Sequence, residues 1–80
     1  MSIFEVKVEP LAVDVAVTND VLRVVLADGR ELAVPLAWFP RLHNATPDQR
    51  SRWERIGGGI GIHWPDIDED ISVESLLASR

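Results

Sequence analysis

Residues 57–70 hold the features that could most readily do chemistry: a glycine run, a histidine beside a tryptophan, and a cluster of acids. The glycines of residues 57–61 could cradle a phosphate. A P-loop, however, needs a following lysine with serine or threonine, and a dinucleotide fingerprint needs a βαβ unit. Neither context is present. We therefore interpret the run as bare backbone that lets a tryptophan pack closely, or that takes a positive φ at a bulge.

The acids of this stretch resemble part of a calcium loop. Asp66, Asp68 and Asp70 match the first three ligand positions of an EF-hand, but its sixth position, a glycine, is Ile71 and its twelfth, a glutamate, is Leu77. We therefore expect no metal site and no cofactor. The carboxylates could still bind a divalent ion weakly, or simply solvate a loop near the positive end of a C-terminal helix.

The two histidines do not complete a catalytic arrangement. His63 could be a general base or a metal ligand with His43, but no recognised ligand spacing joins them. We expect each histidine to be a partly buried or surface residue with an ordinary hydrogen bond. Because a nucleophile, a base and an oxyanion donor are not found in a workable pattern, the sequence predicts that the protein is not an enzyme.

Four arginines within fifteen residues could form a basic and aromatic patch for nucleic acid. They are Arg41, Arg50, Arg52 and Arg55, with Trp38 and Trp53 among them. The alternative is a solvated helix with ion pairs, such as Asp48 with Arg52 at i,i+4. We interpret Trp38 and Phe39 as core residues, although aromatics beside an arginine also form interface hot spots.

Size and charge limit the functions that are available. Eighty residues allow one small domain over residues 1–80. The net charge of −5 argues against sequence-independent nucleic-acid binding, and the lack of cysteine removes disulfides and thiolate metal sites. Charge is uneven, at −3 over residues 1–40, +2 over 41–55 and −4 over 56–80. With no leader or membrane-length apolar run, we expect a cytoplasmic protein with no membrane contact.

The elements that must position these residues follow from periodicity and turn signals. Alternating apolar residues predict an antiparallel meander of three to four strands. Its strands are predicted at Phe4 to Val8, Val13 to Val17, Val21 to Leu26 and Arg30 to Pro35. Asp28-Gly29 predicts a type I′ hairpin turn, with positive φ at both residues.

Helical signals dominate the second half of the chain. Thr46, Pro47 and Gln49 form a capping-box start, which predicts a helix over residues 47–55 that ends at Gly57 and places Gln49, Trp53 and Ile56 on one face. A strand over residues 60–64 and a short helix capped by Ser72 and reaching about residue 79 should follow. The predicted fold class is α+β: the meander, then helix, strand and short C-terminal helix.

Three blocks occur in a fixed order: Asp28-Gly29-Arg30, residues 38–42 (WFPRL) and residues 63–72 (HWPDIDEDIS). On these blocks the chain closely resembles the bacterial domain of unknown function 2442 (DUF2442) family, over roughly Val13 to Leu77. The resemblance implies a small α+β domain with no accepted enzymatic role. Members often lie beside genes for another short protein family, numbered 4160, in arrangements like toxin and antitoxin pairs. Some carry an added helix-turn-helix, which we do not expect in this chain.

We therefore expect a non-enzymatic protein-interaction module, the antitoxin-like member of a bacterial two-protein system, that binds a small basic partner such as a toxin encoded nearby. The alternative is a nucleic-acid-associated regulatory protein acting through Arg41, Arg50, Arg52 and Arg55. The predicted partner-binding residues are Asp66, Asp68, Glu69, Asp70, Trp38, Arg41 and Trp64. A homodimer is also expected, because a short meander leaves strand edges and a small chain has a limited core.

Overall fold

The computed structural model describes residues 10–78, which form two three-stranded antiparallel sheets joined by short helices. The first sheet has the order β1-β2-β3, and the second has the order β4-β5-β6. The strands are β1 (Ala12–Val17), β2 (Val21–Leu26), β3 (Glu31–Pro35), β4 (Glu54–Ile56), β5 (Gly61–Trp64) and β6 (Glu69–Ser72). The helices are a 3-10 turn (Leu36–Trp38), α1 (Pro40–His43), α2 (Pro47–Ser51) and α3 (Val73–Ala78).

This architecture confirms the predicted α+β fold class and the meander of residues 12–35. The strand predicted near residues 4–8 lies outside the described residues, as does the predicted end of the last helix at residue 79. The strand predicted over residues 60–64 is β5, and the sequence did not indicate its partners β4 and β6. Across residues 10–78, each helix falls short of the length and apolar character that crossing a bilayer demands.

The tight turn between β2 and β3 differs from the predicted type I′ hairpin. Gly29 has a φ of 97°, but Asp28 does not have a positive φ, and the N–H of Gly29 donates to Leu26 O at 2.9 Å. Asp28 instead uses its side chain, which accepts from the N–H of Arg30 at 3.0 Å and from Arg30 Nε at 2.8 Å. The backbone hydrogen bond from Arg30 lowers the pKa of Asp28. This local bonding suits a turn in which only the glycine takes a positive φ.

Helix α2 begins as predicted and ends four residues early. Thr46 Oγ1 accepts from the N–H of Gln49 at 3.1 Å, and Gln49 Oε1 accepts from the N–H of Thr46 at 2.9 Å, so the capping box is present. The helix stops at Ser51 because Arg52 leaves the helical region, with φ −97° and ψ 79°. Residues 54–56 then pair with β5, which a local helical pattern could not indicate. The prediction that Gln49, Trp53 and Ile56 share one face of a helix is therefore wrong.

The core contains thirteen buried apolar side chains from both sheets, α1, α3 and the 3-10 turn. Trp64 is the largest of those that are fully buried, and its Nε1 donates to Arg50 O at 3.0 Å. Phe39 and Trp53 are partly buried and pack against this core. Trp38 is 44% exposed, so its predicted place in the core is wrong. It ends the 3-10 turn on the surface, while buried Leu36 begins that turn.

The glycine run joins the two sheets. Gly57, Gly58 and Gly59 all have positive φ, as predicted, but they lie in the turn between β4 and β5 and not at a bulge. Gly59 O accepts from the N–H of Ala12 at 2.7 Å. A Cβ on Gly59 would lie 2.6 Å from Ala12 O and 2.9 Å from Ala12 N. The close approach at Gly59 is thus to the backbone of β1 and not to a tryptophan, and bare backbone at Gly59 allows the sheets to meet.

Within residues 10–78, the two edge strands of the first sheet, β1 and β3, carry features that hinder further strand pairing. The register of β1 shifts between Ala12 and Asp14, and Asp14 Oδ1 accepts from the N–H of Val15 at 2.9 Å. The opposite edge strand, β3, ends at Pro35, which has no N–H to donate. Bulges, inserted charges and proline are common ways of protecting sheet edges.

Candidate functional site

The predicted acidic cluster occupies the turn between β5 and β6 and the start of β6. We call its four side chains, Asp66, Asp68, Glu69 and Asp70, the acidic turn. Trp64 and Glu69 face each other across the two strands, and Asp68 has a φ of 54°, in the left-handed region that aspartate tolerates. Asp66, Asp68 and Asp70 are exposed, and Glu69 is intermediate. The strand ladder therefore presents these carboxylates from a fixed backbone.

Two of the predicted basic residues hold this turn in place. Arg52 Nε donates to Asp66 Oδ2 at 2.6 Å, and Arg41 Nη1 donates to Asp68 O at 2.6 Å. The predicted ion pair of Asp48 with Arg52 is replaced by this pair with Asp66, because Arg52 lies beyond the end of α2. The four carboxylates of the acidic turn outnumber these two guanidinium groups, so the assembled site keeps a net negative charge.

His63 lies on β5 directly opposite Asp70 on β6. Its Nδ1 donates to Asp70 Oδ1, and this hydrogen bond raises the pKa of His63 above its ordinary value, although partial desolvation opposes the shift. Glu54 lies on β4 and pairs with His63 from the other side of β5, and its negative charge also favours the protonated ring. His63 is thus partly buried and hydrogen-bonded, as predicted. Across the described residues, no group of three or more His, Cys, Asp or Glu could hold a metal ion.

The remaining predicted partner-binding residues are not all on the surface. Trp38 is 44% exposed and Arg41 is exposed, so both are accessible. Trp64 is fully buried, with its indole N–H already bonded to Arg50 O. Alternation along β5 turns Trp64 toward the core, while His63 is partly exposed. Trp64 is therefore removed from the partner-binding set.

The four arginines do not form one exposed basic patch. Arg50 is only 8% exposed, and its guanidinium donates to Leu42 O at 3.1 Å, to His43 O at 2.7 Å and to Asn19 Oδ1 at 2.9 Å. It thereby satisfies carbonyl groups at the end of α1, which a helix leaves without intrahelical donors. Arg41 and Arg52 contact the acidic turn, and Arg55 is exposed on β4.

The local sequence does not indicate the role of Arg50. It lies in the last turn of α2, two residues before exposed Arg52, and nothing in the local pattern separates the two arginines. Its acceptors come from α1 and from the β1–β2 turn, at sequence separations of 7, 8 and 31 residues. Only the tertiary arrangement identifies it as a buried cation.

Comparisons with known proteins identify a family and a similar fold. A family model described as "Protein of unknown function (DUF2442)" matches residues 12–80. A crystal structure of a protein of unknown function from Rhodospirillum rubrum ATCC 11170 is similar, with a TM-score of 0.73 and 32% sequence identity. The alignment covers 88% of this chain and 87% of that chain. No curated protein matches the sequence.

Proposed function

This chain belongs to the DUF2442 family, and from that premise we propose that it is a non-enzymatic protein-interaction module that binds a more basic partner. In the finer form of the proposal, it is the antitoxin-like member of a bacterial two-protein system. The observation that carries the proposal is the acidic turn, in which exposed carboxylates project from a backbone held by arginines.

The charge of the acidic turn suits a cationic partner. The Asp70 side chain is 67% exposed, and the Asp66 side chain is 34% exposed even though it is paired with Arg52. Residues 56–80 as a whole carry a balance of −4. A surface of one sign attracts a partner of the other sign over a distance and speeds their encounter.

The rigidity of the turn also favours binding. Arg41 bonds to a backbone carbonyl and Arg52 to a side chain, and the ladder with β5 fixes residues 69–72. A surface that is already ordered loses less conformational entropy when a partner binds. Exposed Trp38, three residues before Arg41, adds the kind of aromatic group that interface hot spots use.

The nucleic-acid alternative has weaker support from the same contacts. A phosphate-binding patch needs free lysines or arginines on one surface. Arg50 is buried, and phosphates would have to compete with Asp66 for Arg52. Salt-sensitive gel retardation by the isolated chain would favour this alternative over a protein partner.

The test begins with the protein that co-purifies with the tagged chain at native expression, which is then purified and mixed with the chain in stopped-flow experiments. A variant with Asp66→Asn, Asp68→Asn, Glu69→Gln and Asp70→Asn should associate about tenfold more slowly at low salt. The difference should shrink as salt rises, because the screening length falls to about 8 Å at physiological ionic strength.

A matched control changes the same total charge elsewhere. The control variant carries Asp20→Asn, Glu31→Gln, Asp48→Asn and Glu74→Gln, which are all exposed positions outside the acidic turn. It should associate faster than the acidic-turn variant, because nearby charges act more strongly than distant, screened ones. Equal rates for both variants and wild type at low salt would refute the electrostatic role of the turn. Equal slowing of both would assign the effect to net charge.

A further inference from the structure

A cleft of about 450 Å³ lies beside β1, an edge strand of the first sheet within residues 10–78, and no residue of the acidic turn lines it. Val15 and Val17 of β1 and Trp53 supply its apolar lining. Arg50 and the end of α2 close it on another side, with Asn19 from the β1–β2 turn. The volume is within the range of small-molecule sites, which combine apolar walls with a few polar groups.

Among the residues that the structure describes, Arg50 is the one charged residue that lines this cleft, and it has no anionic partner there. It is only 8% exposed, and three of its five N–H groups donate to the neutral oxygens of Leu42, His43 and Asn19. Within the described part of the chain, no carboxylate lies within 4.0 Å of its guanidinium. A buried charge is costly unless it is paired, so this site favours an anion.

The surroundings of Arg50 leave room for that anion. None of the nine described residues that line the cleft is acidic, although the whole chain has a net charge of −5. Two guanidinium N–H groups remain, one on each terminal nitrogen, because Nη1 and Nη2 each use one hydrogen in the bonds described. These two N–H groups can donate to the oxygens of a carboxylate, the group with which arginine forms strong charge-assisted hydrogen bonds.

We propose that this cleft binds a small organic carboxylate, with its carboxylate on Arg50 and its apolar body against Trp53, Val15 and Val17. An extended peptide fits the edge less well. The N–H of Val15 already donates to Asp14 Oδ1, so an added strand could not pair along the whole of β1. The site is distinct from the acidic turn, and its test does not depend on a protein partner.

The test uses sodium benzoate as the probe and benzamide as its neutral counterpart, each titrated into the ¹⁵N-labelled full chain at pH 7. Benzoate should bind with a Kd of about 1 mM, a value in keeping with a fragment-sized ligand. Benzamide should bind about tenfold more weakly or not at all, because it lacks the charge that Arg50 attracts. The shifted signals should be the amides of residues 17–19 and 51 and the indole N–H of Trp53.

Two variants, each with a matched control variant, test the geometry without altering Arg50. Asn19→Asp places a carboxylate on a position 2.9 Å from Arg50 Nη1, so it should compete with benzoate and weaken binding about tenfold. Gln49→Glu adds the same charge outside the cleft and can keep the capping box, so it should bind like wild type. Ala16→Phe should block the cleft. Ala33→Phe is its control and should not block it, because Ala33 is in register with Ala16 across the sheet but lies on β3, outside the cleft.

Each outcome is decisive once circular dichroism shows that the variants are folded. Benzoate binding that exceeds benzamide binding and is lost in Asn19→Asp and Ala16→Phe supports the proposal. Equal binding of the two probes, unchanged binding in Asn19→Asp, or shifts confined to other residues would overturn it. No shift at tens of millimolar benzoate would overturn it as well.

Discussion

Replacing Gly59 with alanine should destabilise the protein more than the same change one residue earlier. Gly59 has a φ of 118°, a conformation that L-residues rarely adopt, and its carbonyl accepts the hydrogen bond from Ala12 that joins the two sheets. A new Cβ would lie 2.6 Å from Ala12 O and 3.2 Å from Leu11 Cβ. Since the nearest atoms are backbone, a side-chain rotation cannot relieve the overlap.

The magnitude follows from three contributions. Backbone strain at such a φ costs about 1–3 kcal/mol. Weakening the Ala12 hydrogen bond costs about 1 kcal/mol, and forcing the backbones apart adds about 1 kcal/mol or more. We therefore expect Gly59→Ala to lose about 4 kcal/mol, against a total of about 4–12 kcal/mol for a domain of this length.

Gly58→Ala is the matched control. Gly58 has a φ of 73°, and a methyl group added there would meet no atom within 4 Å, so only the left-handed backbone cost of about 1–2 kcal/mol applies. Urea unfolding followed by tryptophan fluorescence should place the two midpoints about 1–2 M apart. If the free energies of unfolding of the two variants differ by less than about 0.5 kcal/mol, the difference is too small for the expected clash, and Gly59 does not hold the sheet junction in the way described.

Four further predictions concern the acidic turn, the core and the sheet edges. The fourfold amide variant of the acidic turn should melt within about 3 °C of wild type, because exposed ion pairs contribute little, and a larger loss in calorimetry would make the turn structural. In Asp70→Asn the pKa of His63, followed by NMR, should fall toward its ordinary value; because folding raises this pKa, the wild type should lose more stability than the variant as pH rises through it. Trp64→Ala should cost about 3–5 kcal/mol in urea unfolding and Trp53→Ala clearly less, since only Trp64 is fully buried; equal losses would contradict this. The homodimer stays a prediction, and a monomer mass by light scattering at tens of micromolar would refute it.

Features that depend on local signals could be predicted from the sequence. The capping box of Thr46 and Gln49 depends on residues three apart, and Ser72 Oγ accepts from the N–H of Ser75 at 3.0 Å as a cap should. The strands of the meander follow from alternation and from turns of a few residues. The prediction of positive φ within the glycine run was confirmed for the same reason, because backbone preference is a property of the residue itself.

Prediction failed where a distant segment decides the local structure. Residues 52–55 carry a helical pattern, but β5 offers a pairing partner to residues 54–56, and a short helix is marginal without tertiary support. In the same way the burial of Arg50 depends on Asn19, Leu42 and His43. Among the predicted partner-binding residues, Trp64 is buried because strand alternation turns its side chain toward the core. The ion pair of Asp66 with Arg52 could not be predicted without knowing where α2 ends.

The contacts of Arg50 bear on the order in which the chain folds. Its side chain joins α2 to the β1–β2 turn 31 residues earlier, and its carbonyl accepts from Trp64, 14 residues later. The β1–β2–β3 meander needs only neighbouring strands, so its pairing closes short loops at small entropic cost. We therefore expect the meander to form before the rate-limiting barrier and the Arg50 contacts to form after it. Weakening those contacts should then speed unfolding and leave the folding rate nearly unchanged.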